Sequence, residues 1–368
     1  MRRLGVKAAL VEGHLVDGDL GVADGNVAAV GLQPAAGAGL AVPGFVDAHI
    51  NGFAGVDFLA ADADGYARAG AALAQTGVVA YQPTFITSPL ERYGDALGQV
   101  AALDGAPGPR PLGVHLEGPF ISERWVGAHD PAHLQAPDAA LADRLCDAGP
   151  VTMVTLAPEL PGALELVERL TARGVVVSCG HSDADAAAAH AAFNHGARAV
   201  THVHNAQRRW GPRDPGLAGV SLVRGGVTVM AIVDLVHLAP ETALAACLLA
   251  GERFCLVTDA IEATGLGPGR YRLGDRTVVV ENGQARLADD GRLAGAVLTM
   301  DQAVRNLVQL GVDLAGAVHA ATRAPARLLQ RTDLGRLTPG APAHIAVLDD
   351  GLHVTRTLVG GEECHFAD

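Results

Sequence analysis

Val175-Val176-Val177-Ser178-Cys179-Gly180-His181 is a short apolar run that stops on a polar side chain. An Ala-rich segment of helical period, Asp183 to His195, follows it, and then comes a second run, Ala199-Val200-Thr201-His202. Runs this short and this apolar fit strands buried on both faces. A helix between two of them is the crossover that parallel strands require. The alternation extends in both directions. Val78 to Gln82, Leu112 to Leu116 and Val151 to Leu156 lie upstream, and Val227 to Ile232 and Phe254 to Thr258 lie downstream. Helical patterns fill the gaps at Tyr66 to Thr76, Pro137 to Ala148, Pro161 to Arg173 and Pro240 to Ala250. About eight strand–helix repeats in roughly 250–300 residues predict an α/β fold, a (β/α)₈ TIM-type barrel.

The two ends of the chain have another rhythm. Val6 to Val11 and Val27 to Val30 are separated by the turn signals Asp17-Gly18 and Asp24-Gly25. His344 to Leu348 and Val354 to Val359 are separated by Asp349-Asp350-Gly351. Each end is too short to bury a core alone, so the termini are expected to pair into one small β-sandwich. The predicted division is residues 1–41 with 337–368 for the β domain and 42–336 for the barrel. A β-hairpin, about 271–293, is inserted before the last helices.

In such barrels the chemistry sits where strands end. His49, Glu117, His181, His202, His237 and Asp259 all end or directly follow an apolar run. One Glu with two or three His is a ligand set that suits Zn²⁺ or Fe²⁺. An Asp closing the eighth strand is placed to take a proton from water. Amide hydrolysis needs water activated and the developing oxyanion stabilised, and a divalent metal supplies both.

The motifs carry a resemblance. Pro43-Gly44-Phe45-Val46-Asp47-Ala48-His49-Ile50-Asn51-Gly52 resembles the PGxxDxHxH motif of the amidohydrolase superfamily. Four further stretches are Gly113-Val114-His115-Leu116-Glu117-Gly118-Pro119-Phe120, Gly180-His181-Ser182, Thr201-His202-Val203-His204-Asn205-Ala206 and Leu256-Val257-Thr258-Asp259-Ala260. With these, and with Pro215-Gly216-Leu217-Ala218-Gly219, the chain is similar to the N-acetylglucosamine-6-phosphate deacetylases over nearly its whole length. The resemblance implies a hydrolase of linear amides that converts N-acetylglucosamine 6-phosphate to glucosamine 6-phosphate and acetate. It implies that Glu117, His181 and His202 bind one divalent metal, with Asp259 as general base and then general acid. His129 would polarise the acetyl carbonyl. Asn205 and Ala206 would touch the sugar phosphate, Arg213 and His237 would bind the phosphate, and Leu293, Ala294 and Gly295 would line the sugar site. In this family the phosphate ligands are typically reached across a homodimer interface.

Local departures keep alternatives open. Asn51 stands where the motif has its second His, so His49 is the main ligand left for any second metal. Gln207-Arg208, Leu235-Val236 and Ala296-Val297 replace residues more usual near the sugar phosphate. The galactosamine epimer, or another N-acyl substrate, therefore stays open. A non-catalytic binding barrel is disfavoured because Glu117, His181, His202 and Asp259 are all retained. The sole lysine, Lys7, lies in the N-terminal β segment. This excludes both a carboxylated barrel lysine bridging two metals and Schiff-base chemistry. His115 reads as support or core, and His204 as a packing residue beside the sugar.

Composition limits the partners. The 368 residues carry a net charge of −13, which argues against nucleic acid and anionic membranes. An anionic substrate must then be held by local cations. The opening Met-Arg-Arg lacks an apolar successor and reads as no secretory signal. The five cysteines are scattered and read as buried small hydrophobes in a reducing cytoplasm.

Overall fold

The computed structural model describes residues 1–35, 37–103 and 108–367; Ala36, Asp104–Pro107 and Asp368, which fall within the predicted domain ranges, lie outside the described residues. Eight strands make the barrel: β1 (Phe45–Ile50), β2 (Val78–Ile86), β3 (Val114–Glu117), β4 (Val151–Leu156), β5 (Val176–Cys179), β6 (Ala199–Val200), β7 (Thr228–Ala231) and β8 (Phe254–Leu256). Each pairs in parallel with the next. A helix follows every strand: α1 (Ala63–Ala74), α2 (Leu90–Ala101), α3 (Ala139–Ala148), α4 (Ala163–Ala172), α5 (Ala186–Asn194), α6 (Gly216–Val223), α7 (Pro240–Ala250) and α8 (Met300–Gln309). The fold is the (β/α)₈ barrel that the alternation predicts.

Burial explains the pattern. Every residue of β2 is buried, because one face looks into the barrel and the other onto helices. In α1 the buried set includes Tyr66, Ala69, Gly70, Leu73 and Ala74, a single stripe of helical period. The Asp62 carboxylate caps this helix by accepting from Gly65 N at 2.8 Å. β6 and β8 each stop two residues short of the end of their apolar runs. β6 stops at Val200 because His202 adopts a left-handed backbone, with φ at 29°. β8 stops at Leu256 because Thr258 turns its hydroxyl and N–H to Asp47 of β1. That contact, with Asp259 N donating to His49 O at 2.9 Å, joins the last strand to the first.

The terminal segments pair with each other, as expected. Leu40–Pro43 runs antiparallel to Ile345–Leu348 at the centre of a six-stranded sheet. A second sheet of three strands comprises Arg2–Arg3, Asp19–Ala23 and Asn26–Leu32. Val22, Val27, Ala41, Ile345, Val347 and Leu358 share the core between them. The insertion before α8 has three antiparallel strands, Gly269–Leu273, Arg276–Glu281 and Gln284–Leu287. The first of these overlaps the start of the predicted range, about 271–293, and adds a third strand to the predicted hairpin across the tight Gly274-Asp275 turn. Leu273, Val278, Val280, Ala285 and Leu287 pack this flap against Ile86, Ala128 and Ile261 at the barrel mouth.

All five cysteines are free. Cys179 and Cys255 are buried, while Cys146, Cys247 and Cys364 are only half-buried and do not fit the expectation of core hydrophobes. Among the described residues no helix is long and apolar enough to cross a membrane.

Candidate active site

Glu117 is the last residue of β3. His181 and His202 each lie two residues past the end of β5 and β6, and Asp259 lies three past β8. These last three adopt positive φ, 47°, 29° and 51°, where an L side chain is strained. The effect is to turn three polar side chains off the strand alternation and onto the barrel axis.

The side chains converge. Glu117 Oε1 lies 3.0 Å from His181 Nε2 and 2.9 Å from His202 Nε2, and the two imidazole nitrogens are 3.2 Å apart. His181 Nδ1 faces the Trp125 carbonyl at 2.9 Å. A carbonyl only accepts, so Nδ1 carries the proton and Nε2 offers its lone pair. Two imidazole nitrogens and a carboxylate oxygen meeting in a buried space are ligand atoms of the kinds a divalent cation takes. The donor set therefore fits a divalent metal. His49 Nε2 lies 3.5 Å from Glu117 Oε2 and 3.2 Å from Asp259 Oδ1, a second acidic group that could hold an ion.

The electrostatics follow from burial and proximity. Burial alone would raise the Glu117 carboxyl, but His49, His129, His181 and His202 hold it well below its ordinary value. Burial alone would lower His49, but the carboxylates of Glu117 and Asp259 raise it to about 10. Burial pushes His129 down to about 4, so its ring is neutral. Thr87 N–H donates to His129 Nδ1 at 3.2 Å, which leaves the ring proton on Nε2, 3.5 Å from Glu117 Oε2. His129 thus presents a neutral N–H donor beside the carboxylate.

A cavity of about 310 Å³ opens on this cluster. His129, Asn205, Ala206, His237, Leu293 and Gly295 line it, as do Glu117, His181, His202 and Asp259. His237 Nδ1 donates to Asp234 Oδ2 at 2.7 Å, which fixes the ring and leaves Nε2 free. Ala294 is fully buried in the flap core and does not line the cavity. Arg213 is exposed and outside the cavity of its own chain. His115 is buried between Thr84 and Thr155 in the barrel interior. His204 stacks on Trp210. Gly127 has φ of 61°, and a Cβ there would stand 2.9 Å from the His181 ring, so this loop closes on the site only with glycine.

Sequence reasoning missed Arg124, Trp125, Leu273 and Arg292 in the cavity wall. They come from a loop and from the flap, whose approach to the mouth has no periodic signal.

A metal-ready cluster at the C-terminal mouth of a parallel barrel defines a hydrolase of the metal-dependent kind, and the chain belongs to the amidohydrolase family, whose model matches residues 40–364. The chain is 41% identical to the N-acetylglucosamine-6-phosphate deacetylase of Homo sapiens, over 90% of this chain and 85% of that one. It is 37% identical to the N-acetylgalactosamine-6-phosphate deacetylase of Escherichia coli O157:H7, over 96% and 97%. Among solved structures, an N-acetyl-D-glucosamine-6-phosphate deacetylase mutant from Mycobacterium smegmatis, in complex with N-acetyl-D-glucosamine-6-phosphate, superposes with a TM-score of 0.93 at 36% identity over 98% of both chains.

Proposed function

We propose that this protein hydrolyses the acetamide of N-acetylglucosamine 6-phosphate, releasing acetate and glucosamine 6-phosphate. The observation that carries the reading is the convergence of Glu117, His181 and His202 within 3.2 Å beside the acid Asp259. Glu117, His181 and His202 would hold one Zn²⁺ or Fe²⁺. When bound, that ion supplies Lewis acidity toward water and the acetyl carbonyl. A second metal at His49 is disfavoured, because Asn51 there is a poor ligand.

The chain's own groups do the rest. Asp259 takes a proton from the attacking water and gives it to the departing amine nitrogen. His129 donates a hydrogen bond from Nε2 to the carbonyl oxygen as negative charge develops there. Asn205, Ala206 and the Leu293 to Gly295 segment hold the sugar, with Ala294 acting through its backbone. His237 and Arg213 bind the phosphate, and Arg213 comes from a second copy in a homodimer. The reading includes a cytoplasmic location, no nucleic-acid or membrane partner, and a division into a β domain of 1–41 with 337–368 and a barrel of 42–336.

The galactosamine epimer is the second reading, favoured by the near-complete coverage of the E. coli O157:H7 relative. Acetate release from both N-acetylhexosamine 6-phosphates, their unphosphorylated forms and several N-acetyl amino acids tests the proposal. Highest kcat/KM on the glucosamine phosphate supports it. Preference for the C4 epimer replaces the substrate, and preference for an N-acetyl amino acid overturns the sugar reading.

A further inference from the structure

Asn51 immediately follows β1 and lines the catalytic cavity, yet the reading above gives it no task beyond excluding a metal. Its Nδ2 lies 2.6 Å from Asp259 Oδ1. A carboxylate only accepts, so the amide orientation is settled by chemistry, and the NH₂ end faces Asp259. The other end, Oδ1, is buried and has no partner among the described residues. Among the described residues Asp259 is therefore the one polar group the Asn51 side chain serves.

The backbone around the pair is fixed. Asp259 N donates to His49 O at 2.9 Å, and Asn51 N and Gly52 N both donate to Ala260 O, at 2.8 and 3.0 Å. The neighbouring Gly52 has no room for a side chain, since a Cβ there would stand 2.4 Å from Val56 O. The ends of β1 and β8 are thus zipped together, and the Asn51 amide spans the zipper. Asp259 Oδ1 also lies 3.2 Å from His49 Nε2. Among the described residues Asn51 Nδ2 is the side-chain hydrogen-bond donor on that oxygen, His49 Nε2 lying beside it without completing a bond, and Oδ2 is the oxygen left for proton transfer.

We propose that Asn51 is a positioning residue that pins Asp259 Oδ1, so that Oδ2 alone takes the proton from the attacking water and hands it to the amine nitrogen as the C–N bond breaks. The inference rests on the deacetylase reading and deepens it. A group that must move one proton in both directions gains from having a single orientation, and small losses of alignment at such a centre are costly.

The test is a double-mutant cycle on the full-length enzyme with metal bound. Asn51→Ala is expected to keep its metal content and its KM within about twofold, while kcat falls about 10- to 100-fold. In the Asp259→Asn background the same substitution is expected to cost nothing further, because the group it acts through is already disabled. Asn51→Asp, similar in shape but carrying an acceptor in place of the donor, is expected to lose at least as much kcat as Asn51→Ala. Wild-type kcat in Asn51→Ala overturns the inference. So does an equal fractional loss in both backgrounds, which would mark Asn51 as merely structural. If Asn51→Ala fails to fold, the Asn51→Asp arm of the cycle decides by the same criterion. Absence of acetate release by the wild-type enzyme overturns the deacetylase reading, and this inference with it. An active wild type with an indifferent Asn51 overturns this inference alone.

Discussion

Asp47 on β1 accepts two hydrogen bonds from Thr258, from the hydroxyl at 2.5 Å and from the backbone N–H at 3.2 Å. β1 and β8 share no regular ladder, so this side-chain clasp adds to the few backbone hydrogen bonds that join them at the barrel seam. Asp47 is fully buried, and burial raises its carboxyl to about 6 despite the Thr258 donors. Thr258→Val removes the hydroxyl donor at nearly constant volume and leaves a buried carboxylate under-satisfied. The expected cost is about 1–3 kcal/mol of unfolding free energy. It is read as a lower urea midpoint with an unchanged slope. A midpoint equal to wild type would show that the clasp is dispensable.

The barrel was legible because strands buried on both faces must be apolar, and because helices packed on one side must repeat every third or fourth residue. β2, fully buried, and α1, with its single stripe, are the clearest cases. The polar cluster was legible for a related reason. A polar residue closing an apolar run has nowhere to go but the mouth, and Glu117, His181, His202, His237 and Asp259 all line the cavity. His129 lies twelve residues beyond Glu117 in an irregular loop, so only the resemblance singled it out. Its contact with Thr87 N joins segments 42 residues apart, and no local pattern encodes it. Arg124 and Arg292 escaped notice because the docking of a loop and a flap depends on tertiary packing.

Asp259→Asn keeps shape but removes the ability to accept a proton. Metal content is expected to stay at the wild-type level, since Glu117, His181 and His202 are untouched. Turnover is expected to fall about 10²- to 10⁴-fold. Elemental analysis and initial-rate measurements on the same preparation check both halves. Near-normal turnover would remove Asp259 from the mechanism.

His344 supplies a pH effect remote from the cavity. Its Nδ1 accepts from Gly360 N–H at 3.1 Å, and the ring is buried. Burial first, then the cations of Arg110 and Arg331, push it down to about 4. The unfolded value is near 6.5, so on acidification the unfolded chain binds this proton first. The stability tied to the neutral ring is complete above about pH 6.5 and is lost as pH falls toward about 4. Between pH 7.5 and 4.5 the wild type should lose about 2–3 kcal/mol more than His344→Gln, which does not titrate. Denaturant unfolding at both pH values measures the difference. Parallel losses in the two proteins would rule out His344 as the titrating group.

Arg213 gives the sharpest test of assembly. It is exposed on a loop braced by Gly211 N donating to Asp214 O at 2.9 Å and by the Arg208–Asp214 ion pair at 2.9 Å. It does not line the cavity of its own chain, which accords with the proposal that it meets a bound phosphate in a second copy. Arg213→Ala is expected to raise KM for the 6-phosphorylated substrate about 10- to 100-fold and to leave the unphosphorylated sugar nearly unchanged. Mixing Arg213→Ala with inactive Asp259→Asn separates the two geometries. In a hybrid dimer the Arg213→Ala subunit keeps its own Asp259 and receives Arg213 from its partner. Re-equilibrated equal mixtures should therefore recover about a quarter of wild-type activity at low substrate, since half the dimers hold one complete site. Recovery no greater than the average of the two parents would place Arg213 outside any shared site. A loss of equal size on both substrates would mean that it binds no phosphate.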